Sequence, residues 1–322
     1  MTISKPNWHR LFSILNMRRP HGTEVEVTAR FLAQYDLTLY RNEKNDLMAC
    51  AITTDQASTT LFSAHLDTVH RIAGERKVKY DPKTGIVSSP DGTPLGADDG
   101  AGVWLLLELI DAGVPGTYLF TVGEECGGIG AKWMATNEAE FMSGFDRAIA
   151  FDRRGTSSVI THQYMGQCCS DAFAESLSNE LNHWLPDDHA FMLPDDTGVY
   201  TDTAEYTGLI HECTNISVGY QNEHSAQESL DVTFLAALRD ACILVEWDNL
   251  PTERDLTLPY NDKMWSYPDT YTSAPYLSTE DDVLNMSYRE LTKFVQDSDP
   301  RDIADMLEEL AIEVQWHKKG KN

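Results

Sequence analysis

The sequence predicts an α/β fold, a mostly parallel mixed sheet sandwiched by helices, with a C-terminal extension. Three observations predict it. Apolar, β-branched runs of strand length alternate with segments of helical periodicity. The links between them are short, which suits a sheet whose crossovers cover both faces. The chain has 322 residues, 42% of them hydrophobic, enough to bury the core of one large α/β domain or two smaller ones.

Taken in order, residues 8–17 (WHRLFSILNM) have the spacing of a short amphipathic helix, and RPHG then turns the chain. Thr23 and Glu26 fit a capping box that opens a helix running to about Tyr35. Strand-like runs follow at 47–52 (LMACAI), 59–64 (TTLFSA), 116–122 (GTYLFTV), 147–151 (RAIAF), 157–161 (SSVIT) and 215–220 (NISVGY). The clearest helices are 99–113, stopped by Gly113, then 169–184, and 231–247, capped by Asp231. Past Leu250 the texture changes: Pro251, Pro259, Pro268 and Pro275 punctuate an aromatic-rich segment, and a second helix-like piece starts at Asp299-Pro300. A boundary near 250 therefore divides a domain of residues 1–250 from an extension of 251–322. Ile303, Met306, Leu307, Leu310 and Val314 form one apolar helical stripe that needs a partner surface. The extension is expected to pack on the domain before it, or to join subunits of a homo-oligomer.

Composition excludes several classes of partner. The formal net charge of −26 disfavours nucleic acid and anionic membrane, which are polyanions themselves. No apolar stretch approaches the roughly 20 residues of a membrane span. The N-terminus lacks a small-residue cleavage site and does not read as a secretory signal. Six cysteines without CxxC spacing suggest reduced, buried thiols in a cytoplasmic compartment. GxSxG, P-loop and GxGxxG patterns are missing from the sequence, so serine-hydrolase and nucleotide-binding readings lack support.

The run TTLFSA is apolar enough for a buried strand, yet it leads into His65 and Asp67. Four other segments are expected to place acids or a histidine just beyond a strand, each at a strand end: LGADDGAG (95–102), VGEECGGIG (122–130), FDRRG (151–155) and NEHSAQE (222–228). In open α/β sheets the carboxyl ends of strands are where ligands bind. Each segment alone has an ordinary explanation, such as a helix cap or a surface ion pair. Together, two histidines and three carboxylates at one sheet edge make an N/O ligand set suited to zinc, manganese or cobalt.

These motifs, in this order, resemble the co-catalytic di-zinc exopeptidase clan of aminopeptidases, peptidase T-like tripeptidases, carboxypeptidases and acylases. HLDTV, GADDGAG, GEECGGIG, AFDRRG and EHSAQE carry the resemblance, which spans about residues 10–247. It implies two divalent ions, zinc first, with cobalt or manganese as alternatives. By resemblance, Asp98 bridges both ions, His65 and Asp152 complete one site, and Glu125 and His224 complete the other. Glu124 is then the general base that activates a metal-bridging water, and Asp67 the partner that orients His65, as an i+2 carboxylate on the same strand face can. A cis peptide bond is implied between Asp98 and Asp99. The short span from Asp152 to His224 leaves room for one helix and a few strands, so the separate lid domain of many clan members is expected to be missing.

Asp202, in GVYTDTAEY, resembles the segment lining the substrate pocket of related aminopeptidases, where it would receive a peptide α-ammonium. A turn aspartate fits it equally well. His70 and His162 lie near motifs and fit structural roles better than substrate contact, and Cys126, beside Glu125, reads as a small buried residue. The resemblance thus implies metal-dependent amide hydrolysis on a small peptide or acylated amino acid. An aminopeptidase is the leading form, a carboxypeptidase or N-acyl amino acid deacylase the nearest alternative, and a non-catalytic binding protein on the same fold the rival of another class.

Overall fold

The computed structural model describes residues 3–163 and 166–257. The expected packing of 251–322, with its apolar stripe, lies almost wholly outside the described residues. The central sheet has eight strands: β1 Thr38–Arg41, β2 Leu47–Thr53, β3 Thr60–His65, β4 Thr117–Thr121, β5 Arg147–Arg153, β6 Ser158–Ile160, β7 Leu193–Asp195 and β8 Glu212–Ser217. Their spatial order is β7-β6-β8-β5-β3-β4-β2-β1. The four inner strands β8, β5, β3 and β4 run parallel. β2 and β1 extend one side antiparallel, and β6 pairs antiparallel with β8 on the other. The mixed, centrally parallel sheet is the one the sequence predicts.

Helices cover both faces: α1 Trp8–Leu15, α2 Ala97–Ala112, α3 Ile129–Asn137, α4 Asp171–Trp184 and α5 Val232–Leu244. Alternation along the strands sorts their side chains between two cores. Phe62, Tyr118, Phe120, Ile149 and Phe151 pack with residues of α1, α2, α4 and α5, whereas Ala49, Ala51, Leu61, Leu119 and Ala148 meet α3 and Tyr206. The small residues of the second face let α3 lie close: a Cβ added at Gly130 would stand 2.3 Å from the Met48 carbonyl oxygen. α2 is buried from Ala97 to Ile110, which explains why its apolar residues show so little sidedness. Gly113 ends it in the left-handed region, with φ 73°, and Asp231 caps α5 by accepting the Thr233 and Phe234 amides. Among the described residues, no helix is long and apolar enough to cross a membrane.

Three expectations need correction. Thr23 does not form a capping box: with φ −105° and ψ 2° it is not extended, and its hydroxyl donates to the Pro20 carbonyl at 2.8 Å. Glu24, not Glu26, turns back, accepting from the Gly22 amide at 2.6 Å, and the helix Glu24–Val27 widens into a π-helical stretch, Thr28–Leu32. The run 215–220 splits, because Gly219, at φ 96°, turns the chain between β8 and a short strand, Tyr220–Gln221. The edge strands β1 and β7 escape a pattern search: β1 is largely exposed, and β7 contains Pro194, which reads against a strand and is tolerated at a sheet edge.

A second, antiparallel sheet joins Tyr220–Gln221, Ser229–Asp231, Ile86–Ser88 and Lys79–Asp81. Its first two strands frame the loop 222–228. The span from Asp152 to His224 supplies β6, β7, β8, α4, a short hairpin and one 3-10 turn.

Candidate metal centre

The parallel register sets the site. Ser63 pairs with Ala150 and His65 with Thr121, so His65, Asp152 and the loop after β4 reach the same carboxyl-end level of the sheet. His65, 1% exposed, ends β3 with its Nε2 3.1 Å from Asp98 Oδ1 and 3.6 Å from Asp152 Oδ1. The other oxygen of Asp98, Oδ2, stands 3.0 Å from His224 Nε2, and His224 Nε2 stands 3.1 Å from Glu125 Oε2. Asp98 thus belongs to two trios, His65–Asp98–Asp152 and Asp98–Glu125–His224, whose donor atoms lie within 4.8 Å of one another. Glu124 sits beside both and in neither, with its Oε2 3.9 Å from His65 Nε2.

Asp98 and Asp99 interrupt the start of α2 with non-helical angles, and the peptide bond between them is cis, as the resemblance implies. Asp99 turns inward and accepts the amides of His65 at 3.2 Å and Gly102 at 2.9 Å. Asp67, fully buried, stands 3.5 Å from His65 Nδ1 and accepts the amides of Glu124 and Glu125 at 3.1 and 3.2 Å. Asp152 accepts from the Thr201 hydroxyl at 2.7 Å and the Tyr220 hydroxyl at 3.0 Å. His224 takes a left-handed backbone, φ 61°, uncommon outside glycine, and keeps 53% of its side chain exposed.

Two residues missed in the sequence hold these loops. Glu228, 1% exposed, accepts three successive amides, those of Gly96, Ala97 and Asp98, at 3.0, 2.7 and 3.1 Å. Arg19, also buried, donates to the carbonyls of Ile14, Leu66 and Gly96, tying the loop after β3 to the one before Asp98. Their signal was a charge inside motifs already noticed, HSAQE and RRPHG, without an assigned task. Asp202 is 2% exposed and accepts from the Thr121 hydroxyl, with its Oδ1 unpartnered among the described residues. It belongs to neither trio.

The donor set fits divalent cations on electrostatic grounds. Burial, together with the Asp152, Asp202 and Asp98 carboxylates, pushes Glu124 up to about 10 against the pull of His65. Burial and the Asp98 carboxylate likewise raise Glu125, against a hydrogen bond to His224. Hydrogen bonds to Asp98 and Glu125 hold His224 up at about 11 despite burial. Without cations the cluster must therefore keep protons to limit the repulsion among its carboxylates, and metal binding displaces such protons. Oxygen and imidazole donors of this kind suit zinc, manganese or cobalt.

Elsewhere, the His70 ring stands 2.7 Å from Thr68 Oγ1 and 2.9 Å from the Pro94 carbonyl, and His162 stands 2.9 Å from Thr161 Oγ1. Neither joins a trio. Cys126 corrects an expectation: it is exposed, whereas the other five cysteines are buried, because the loop from Gly123 to Gly128 turns its Cys126 side outward as Glu124 and Glu125 turn in.

No family model matches the chain, and no curated protein does. Solved structures do. An aminopeptidase PepT from Bacillus cereus is 15% identical, over 73% of this chain and 96% of that one, with a TM-score of 0.55. A tripeptidase from Staphylococcus aureus is 16% identical over 74% and 98%, with a TM-score of 0.56. The LapA aminopeptidase of Legionella pneumophila is 14% identical over 73% and 68%, with a TM-score of 0.51. This chain shares their fold.

Proposed function

We propose that residues 1–250 form a compact, lid-free, metal-dependent exopeptidase domain that hydrolyses an amide bond of small peptides, acting as an aminopeptidase. One observation carries the reading. Asp98 places its two carboxylate oxygens at 3.1 and 3.0 Å from the imidazoles of two separate trios, with Glu124 outside both. His65, Asp98 and Asp152 would hold one divalent cation, and Asp98, Glu125 and His224 the other, zinc being the first choice. Bound there, such ions would acidify the attacking water and polarise the scissile carbonyl.

The chain's own residues do the rest. Asp67 faces the Nδ1 edge of the His65 ring at 3.5 Å, and Nε2 points toward Asp98 and Asp152. Through the two amides it accepts, it also fixes the turn that sends Glu125 to one trio and leaves Glu124 beside them. Glu124 takes a proton from the attacking water and passes it to the leaving amine, the work of a general base that stands beside the trios without belonging to either. Asp202 belongs to neither trio and is buried against the Thr121 hydroxyl, so it does not set the polarity of the substrate. The likeness to the folds of an aminopeptidase and a tripeptidase is what favours the aminopeptidase form over the carboxypeptidase or deacylase form.

The test is metal analysis of the purified protein beside a panel of aminoacyl-, dipeptidyl- and N-acyl-amides. Two transition-metal ions per chain and chelator-sensitive release of N-terminal residues are expected. A chain without transition metal whose hydrolysis is unchanged by chelator overturns the reading, and hydrolysis confined to N-acyl or C-terminal substrates reverses its polarity.

A further inference from the structure

The loop 222–228 grips one residue twice. Its first half sends His224 to the Asp98 side chain at 3.0 Å, and its last residue, Glu228, accepts the Asp98 main-chain amide together with the two amides before it. The loop is closed at its base by the antiparallel pairs Tyr220–Leu230 and Gln221–Ser229, so the two grips are held at a fixed separation. An amide bonded to Glu228 cannot swing away, and Asp98 follows its own backbone.

Resting on the proposed metal centre, we propose that Glu228 is the positioning residue for Asp98: it holds the Gly96–Asp98 backbone so that both Asp98 oxygens face the two trios before any ion arrives. Glu228 belongs to neither trio, and its partners are the three backbone amides. Its carboxylate suits the task because both oxygens accept, so all three N–H groups are satisfied. A glutamine would have to turn its NH2 toward at least one of them and leave it unpaired. The opposite anchor is Arg19, whose guanidinium takes the Gly96 carbonyl at 3.1 Å. The peptide group on each side of Gly96 is thereby fixed by a buried charge of opposite sign. The result is a site whose bridging ligand is organised by residues outside it, and such outer partners govern metal affinity.

Glu212 offers an internal control. It is equally buried and accepts from the Ser170 amide and hydroxyl and from the Glu253 and Arg254 amides. It does so at the first residue of β8, the end of the strand away from the metal centre.

The full chain, wild type and Glu228→Gln, is stripped of metal and titrated with zinc and with manganese by calorimetry at 25 °C, with Glu212→Gln alongside. Glu228→Gln is expected to bind both metals about 10- to 100-fold more weakly, with far-UV dichroism unchanged and amide hydrolysis recovering in excess metal. Glu212→Gln is expected to lower the melting temperature and leave metal affinity alone. Should Glu228→Gln fail to fold, Glu228→Asp, which keeps the charge but shortens the reach, is expected to weaken metal binding in the same direction. Wild-type affinity in either folded variant, or a fall in melting temperature with no change in affinity, overturns the proposal. A wild-type chain that binds no ion would instead sink the metallopeptidase reading itself.

Discussion

Asp67 Oδ1 accepts the Glu124 amide at 3.1 Å while standing 3.5 Å from His65 Nδ1, so one buried carboxylate both faces the imidazole and holds the loop of the proposed base. Replacing it by alanine removes both constraints. Asp67→Ala is expected to weaken metal binding about 10- to 100-fold and to reduce turnover even with metal in excess, since the Glu124 loop is also released. Titration calorimetry followed by kinetics at saturating metal checks this, and full recovery in excess metal would limit Asp67 to the metal site.

Glu124 and Glu125 are adjacent but differently placed. Glu124→Gln keeps size and hydrogen bonding and removes the proton acceptor, so both ions should stay while turnover falls by about 10²–10⁴. Glu125→Gln removes a charge 3.1 Å from His224 Nε2, so metal content should fall together with activity. Metal stoichiometry and amide hydrolysis measured on both variants decide the assignment, which fails if the metal loss appears in Glu124→Gln instead.

Gly102 shows how tightly the centre rests on the core. A Cβ there would lie 2.3 Å from Asp99 Oδ1 and 2.5 Å from the Phe151 carbonyl oxygen. Asp99 holds the His65 amide, so Gly102→Ala should push β3 and α2 apart at the site. A loss of about 1–3 kcal/mol is expected in denaturant unfolding, together with weaker metal binding. An unchanged midpoint and affinity would show that the strand relaxes freely.

His70 provides a stability term that depends on pH. Burial, and then the charge of Arg76, push its imidazole down to about 4, against a hydrogen bond to the Pro94 carbonyl. The neutral ring donates to that carbonyl from Nε2 and accepts the Thr68 hydroxyl at Nδ1. The folded value lies below the ordinary 6.5, so the unfolded chain holds the proton more tightly. The contribution is complete above 6.5, falls as the pH drops from 6.5 toward 4, and is gone below that. Melting temperature followed across this window should decline more steeply in wild type than in His70→Gln, and parallel curves would contradict the assignment.

The local sequence determined the inner strands, the main helices and the residues that meet at the carboxyl edge. A parallel strand buried on both faces must be apolar along its length, so a polar residue appearing at its end is legible without neighbours, as at His65 and Asp152. Gly113 and Asp231 were readable for the same reason, since left-handed backbone and amide capping act within a few residues. The tertiary structure decided what these residues touch. Glu228 reaches Ala97 across 131 positions, and Asp67 reaches Glu124 across 57, and no local pattern encodes a bond between chain segments that only the sheet order brings together. The same holds for Thr23 and Cys126, whose expected cap and burial gave way to a turn set by Pro20 and to a loop in which both glutamates must face inward. Hydrophobic periodicity carries the direction in which a side chain points, whereas the partner it meets depends on which strands are neighbours, and that is fixed by packing of the whole domain.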